Sequence, residues 1–170
     1  MRVDALTEVV IARRRETVAA FATDPDRVPE WYRNITSVEW KTPRPLAIGS
    51  RIAFIAQFLG RRLAYTYEVA EWVPNERFVM RTADGPFPME TTYTWEDAAN
   101  GATRMTLRNR GTPRGFAMWL APVMGMAVRQ ANRTDLAALK AVLEAAPRDG
   151  PTPGPVAFSR GRAGHRDRRD

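Results

Sequence analysis

The chain has 170 residues, no Cys, and one His, His165. Those counts leave no route to a disulfide, a Cys-ligated zinc or iron–sulfur site, a thiolate nucleophile, a Ser-His-Asp triad or a two-His metal site within one chain. Formal charge is +7, but the stretch from Pro147 to Asp170 carries six Arg and three Asp, so the remaining body is only mildly basic.

In chain order, residues 3–11 alternate as a first strand. Arg15 to Ala22 has helical spacing at Val18, Phe21 and Ala22. Asp24-Pro25 reads as a cap with Pro at the first helical position, opening a second short helix that ends near Tyr32. Pro29 fits its first turn poorly, so the helix is short and ragged. Strands follow at 35–42, 50–59, 62–73, 76–82, 87–97 and 102–110. Pro43 and Pro45, Gly60-Arg61, Pro74-Asn75, Asp84-Gly85-Pro86 and Asn100-Gly101 separate them. Short loops between successive strands predict antiparallel neighbours, seven strands in all. A long helix then covers roughly 123–145, with Pro122 at its start or at a kink.

The body, 1–146, reads as one domain. Residues 147–170 hold eight Pro or Gly between the Arg residues, too little apolar surface to offset ordering, and read as a disordered tail. That tail is either a solvated leftover or an electrostatic tether to an acidic partner, nucleic acid or a membrane surface. Met1 to Ile11 lacks the apolar region of a targeting segment. Phe116–Val128, the most apolar window, is too short to span a bilayer and contains Pro122 and Gly125. The expectation is a soluble, cytoplasmic protein with no transmembrane segment. No basic stripe interleaved with aromatics marks a specific nucleic-acid surface. Oligomeric state is not readable.

A sheet with one apolar face and a long amphipathic helix must pack together. A curved sheet gripping the helix is the economical solution, and it can leave a cavity. Strand parity assigns inward faces. Ile52, Phe54, Ala56 and Phe58 oppose Arg51 and Gln57. Phe78 and Met80 oppose Arg77 and Arg81. Phe87, Met89, Thr91, Tyr93 and Trp95 oppose Glu90, Thr92, Thr94 and Glu96. Thr103, Met105, Leu107 and Asn109 oppose Arg104, Thr106, Arg108 and Arg110. Parity does not separate a plain core from a cavity wall. Strand 62–73 places Tyr65, Tyr67, Val69 and Glu71 on one face and Ala64, Thr66, Glu68, Ala70 and Trp72 on the other. Strict alternation therefore sends either Glu68 or Glu71 toward the helix. That carboxylate is either paired at the mouth with an Arg such as Arg62, or a polar anchor or general acid/base inside. On the helix, Met124, Gly125, Val128, Asn132, Asp135, Leu136, Leu139 and Leu143 share one face at about 100° per residue. Asn132 and Asp135 interrupt its apolar stripe. They either bond to sheet groups or meet a ligand's polar end.

Several motifs, in this order, resemble one family. They are Asp24-Pro25 followed by Trp31, Pro45 to Gly49-Ser50, and Trp72-Val73-Pro74 followed by Arg77-Phe78. Then come Tyr93-Thr94-Trp95-Glu96 with Gly101 to Met105, and Asp135-Leu136, Leu139-Lys140 and Leu143-Glu144. Over roughly 3–146 the chain resembles the START/birch-allergen-like (SRPBCC) superfamily, in its polyketide cyclase/dehydrase branch. The resemblance implies an α+β helix-grip fold. A curved seven-stranded antiparallel sheet would wrap around the long C-terminal helix, with two short helices after the first strand and an internal cavity for an apolar ligand. It implies no shared catalytic set.

Three functions are open to such a chain. In the first, the domain carries or sequesters a hydrophobic small molecule such as a polyketide, isoprenoid or lipid. Phe54, Phe58, Tyr67, Met80, Met89, Tyr93, Met105, Met124 and Val128 would line the site, with Asn132 and Asp135 at its polar end. In the second, it is a cyclase/dehydratase-type enzyme moving a proton through Asp135, Glu68, Glu71 or Tyr93. In the third, Phe116–Val128 forms an exposed apolar patch that docks a partner or a membrane surface. No cofactor or metal is expected.

Overall fold

A computed structural model describes residues 3–58, 60–85, 88–112 and 121–147. Strand β1 is Val3–Ile11, helix α1 Arg15–Thr23, and helix α2 Val28–Trp31, preceded by a 3₁₀ turn at Pro25–Arg27. Strands β2 (Ile35–Trp40), β3 (Arg51–Phe58), β4 (Arg61–Val73), β5 (Arg77–Asp84), β6 (Met89–Ala98) and β7 (Ala102–Gly111) follow, then helix α3, Ala121–Ala145. The Asp24 carboxylate accepts the Asp26 amide at 3.0 Å, capping the turn as its Asp-Pro sequence predicts.

The seven strands form one antiparallel sheet in the order β1-β7-β6-β5-β4-β3-β2. The turns use the residues that tolerate positive φ. Asn75 (62°) follows Pro74 between β4 and β5, and Asn100 (60°) with Gly101 (70°) joins β6 to β7. Helix α3 packs chiefly against β1 and α2. The helix-grip arrangement expected from the sequence is therefore the observed one.

The end of α3 is fastened to β1. Lys140 Nζ donates to the Val10 carbonyl at 2.7 Å, and Glu144 Oε1 accepts the Ala12 amide at 2.8 Å. The Arg13 guanidinium donates to the Glu144 and Ala146 carbonyls at 2.9 and 2.6 Å, satisfying acceptors the helix end leaves free. Below this clasp, Leu136, Leu139 and Leu143 join Ile11, Val18, Trp31, Phe78, Trp95, Met105 and Leu107 in a continuous core. The interior then lies between α3, with α2, and the concave face of the sheet.

Register carries the charged residues to the convex face. Arg51, Glu68, Arg81, Glu90, Arg110 and Asp4 stand directly opposite one another, strand to strand, from β3 across to β1. The row alternates in sign throughout. Arg51–Glu68 closes at 2.7 Å, Arg81–Glu90 at 3.0 Å and Arg110–Asp4 at 3.6 Å.

One expectation fails in β4. Strict alternation requires Glu68 or Glu71 to face the helix, and neither does. The β4–β5 register slips by one residue at Ala70, between the Val69–Met80 and Glu71–Val79 pairs. This bulge inverts the parity of the residues after it. Tyr67 and Val69 face inward before it and Trp72 faces inward after it, against Phe78. Glu68 pairs with Arg51, and Glu71 with Arg77 at 3.0 Å. Both are outer-face ion pairs, and neither involves Arg62.

Candidate functional site

The concave face is built from alternate residues of β3 to β7 and β1. Phe54 and Tyr67 meet edge to face at 6.0 Å between ring centres, and Phe78 stacks on Tyr93 at 6.0 Å. Met80 and Met105 are buried among them, and Met89 is half-buried. Tyr67 donates to the Met89 sulfur at 3.9 Å. Burial holds the Tyr67 phenol above its ordinary pKa, partly offset by the Thr91 and Thr82 hydroxyls.

Two polar clusters are set into this apolar wall. In the first, α2 ends at Trp31 and turns, which carries Tyr32 over the sheet to meet Tyr93. Their hydroxyl oxygens lie 2.9 Å apart. Burial, and then the neighbouring phenol, raise the Tyr32 pKa well above normal, and burial raises that of Tyr93. Both phenols also feel the charge of Asp135. Asp135 is 3% exposed, and its Oδ1 accepts the Arg33 amide at 3.1 Å. Burial pushes its carboxyl up to about 6, against the opposing pull of that amide and of the Arg33 charge. An acid in that range exchanges protons near neutrality, with two phenols as neighbours.

The second cluster is a relay of amides. The Thr91 hydroxyl donates to Asn109 Oδ1 at 2.7 Å, and Asn109 Nδ2 donates to Asn132 Oδ1 at 2.8 Å. Asn132 Nδ2 is buried and has no partner among the described residues. The indole N–H groups of Trp31 and Trp95 are in the same condition. Buried donors of this kind are costly to leave unmade.

The structure thus brings Phe54, Tyr67, Met80, Met89, Tyr93, Met105, Asn132 and Asp135 to one interior, with Val128 half-buried on α3. Glu68 and Glu71 are excluded from it by the bulge. The side chains of Phe58, Phe87 and Met124 lie outside the described residues, as do residues 116–120 of the apolar window and the Arg-rich tail from 148 on. Of that window, Met126 is exposed on α3. Tyr32, Thr91 and Asn109 are the members the sequence did not flag. Thr91 and Asn109 do sit on strand positions assigned inward, and that polarity among apolar neighbours was the available signal. Tyr32 carried none, because its partner is remote in sequence. Among the described residues no three His, Asp or Glu side chains gather as a metal site, and no helix is long and apolar enough to cross a membrane.

Comparison with known proteins agrees with this architecture. The family model described as polyketide cyclase / dehydrase and lipid transport matches residues 2–144. No curated protein matches. Among solved structures, TTHA0849 from Thermus thermophilus is similar with a TM-score of 0.74 and 19% identity, over 85% of this chain and 99% of that one. A START superfamily protein from Mycobacterium smegmatis follows with a TM-score of 0.73 and 14% identity, over 83% and 97%. The Zhui aromatase/cyclase from Streptomyces sp. R1128 gives a TM-score of 0.73 and 15% identity, over 85% and 94%. At such identities the likeness is one of fold.

Proposed function

Since the chain belongs to the polyketide cyclase / dehydrase and lipid transport family, we propose that it binds a hydrophobic small molecule between the concave sheet face and α3. The molecule is polyketide-, isoprenoid- or lipid-like, and the protein acts as its carrier or sequestering module. One observation carries the reading. The wall facing α3 is aromatic and Met-rich, yet it holds buried polar groups, Asp135 and Asn132 on the helix and Tyr93 and Asn109 on the sheet. A helix pressed onto a sheet for stability alone gains nothing from an ionisable group and an unpaired amide. A ligand with a polar end gives them a purpose.

Two measurements test this. Native mass spectrometry of protein purified from its own host should reveal a co-purifying apolar molecule. The hydrocarbon probe diphenylhexatriene should be taken up saturably, near one per chain, and equally by Glu68→Gln and Glu71→Gln. Absence of both the co-purifying molecule and saturable uptake would sink the reading.

The buried Asp135 carboxyl, raised to about 6 beside Tyr93 and Tyr32, favours a second reading, a cyclase- or dehydratase-type enzyme. Asp135 would then take a proton from the bound molecule and return it, while the wall folds the chain for reaction. Asp135→Asn should abolish turnover and keep binding. Unchanged turnover removes Asp135 from any mechanism.

A further inference from the structure

We propose that the ligand's polar end is an uncharged hydrogen-bond acceptor, a ketone, ester or amide carbonyl, received by the Asn132 amide, and that carboxylate and phosphate head groups are rejected. This rests on the binding reading above and adds the ligand's chemistry to it.

The first argument is charge. Among the described residues Asp135 is the one buried Asp, Glu, Lys or Arg side chain, and it is acidic. Register turns Arg51, Arg81, Arg108 and Arg110 to the convex face, where they meet Glu68, Glu90 and Asp4. On α3, Arg129 and Arg133 are exposed and Lys140 is tied to β1. An anionic head group entering the interior would lose its water, find no buried cationic side chain among the described residues, Arg33 being exposed beside Asp135 and Arg15 partly exposed beside Asp97, and face a carboxylate.

The second argument is the sense of the hydrogen bonds. The amide relay begins at a hydroxyl that donates, Thr91, and each amide in turn accepts through oxygen and donates through nitrogen. In this orientation the relay ends on the Asn132 Nδ2 amide, which presents an N–H. The Trp31 and Trp95 indole nitrogens, also buried without hydrogen-bond partners, are donors as well. Among the described residues no buried side-chain acceptor lacks a partner. The interior has donors to spare, so its complement brings acceptors. These N–H groups are covered in the structure, so a carbonyl reaches them by displacing neighbouring side chains. The unbranched Met80, Met89 and Met105 make this wall adaptable.

The test is displacement of diphenylhexatriene at pH 8 by 2-dodecanone, methyl dodecanoate, dodecanoate and dodecyl phosphate. The ketone and ester should bind about tenfold or more tightly than either anion, the difference one unmet buried hydrogen bond makes. Asn132→Leu should remove the advantage of the ketone over the anions, with circular dichroism and a cooperative melt showing that the variant is folded. Asp135→Asn should narrow the gap for dodecanoate. Dodecanoate binding as tightly as the ketone overturns the proposal alone. Failure of diphenylhexatriene to bind overturns the underlying reading instead.

Discussion

Asp135 shows how much one side chain commits. It keeps its proton to about 6 when folded, against an ordinary 3.8. The folded state therefore binds more protons than the unfolded chain between those values, and stability falls as pH rises through that window. Above it the ionised carboxyl costs about 3 kcal/mol, since each pKa unit is worth about 1.4 kcal/mol; below 3.8 the cost is gone. Asp135→Asn keeps an oxygen for the Arg33 amide and removes the charge. Urea unfolding should show the variant more stable by about 1–3 kcal/mol at pH 8, with the gain fading toward pH 4. A gain that ignores pH would refute the buried-carboxyl account. The Tyr32–Tyr93 pair makes a second residue-scale case. Tyr93→Phe strands the Tyr32 hydroxyl and should cost about 1–2 kcal/mol. The double replacement with Tyr32→Phe should cost less than the sum of the singles by about 1 kcal/mol. Strict additivity would mean that the 2.9 Å contact carries no energy.

Among the elements, β4 is where alternation misleads. A period of two predicts faces correctly for β3, β5, β6 and β7, because no extra residue falls within their predicted stretches; the second slip of the β4–β5 pair, at Ala83, lies past the predicted end of β5 at Thr82. It fails in β4 because a bulge adds one residue without adding a pair. Nothing in Tyr67 to Trp72 announces it, since Ala70 is as ordinary in a strand as in a bulge. The consequence is functional, because the bulge keeps Tyr67 and Trp72 inward together and both Glu residues outward. Deleting Ala70 should therefore be tolerated, because Glu71 still follows Val69 on the outer face and Trp72 stays inside. Deleting Ala64, which pairs regularly with Ile55, inverts one side of the strand against the other. Circular dichroism melts should show a cooperative transition for the first deletion and none for the second. If both unfold, the bulge is not the hinge of parity in β4.

For the whole molecule, length, turn residues and parity made the element order, the single sheet and the gripping helix legible, with boundaries within two or three residues. The interior was legible as a list of inward residues but not as a site. Tyr32 meets Tyr93, and Asn109 meets Asn132, only after the sheet has closed over α3. The alternating row of charge across the convex face was hidden for the same reason. Each strand shows its own charges, but only six strands in register align them. That row invites a final prediction. Each exposed pair is worth about 0–1 kcal/mol, so losing one charge matters little. Reversing one sets like charges opposite each other on both sides. Glu68→Arg would place a third guanidinium between Arg51 and Arg81, each directly across from it. It should lower the melting temperature by several degrees at low salt, far more than Glu68→Gln. About half of that loss should return at 0.5 M NaCl, where screening shortens to a few ångströms. A loss that salt leaves unchanged would trace to packing on the convex face, and the row would then be a pattern without electrostatic weight.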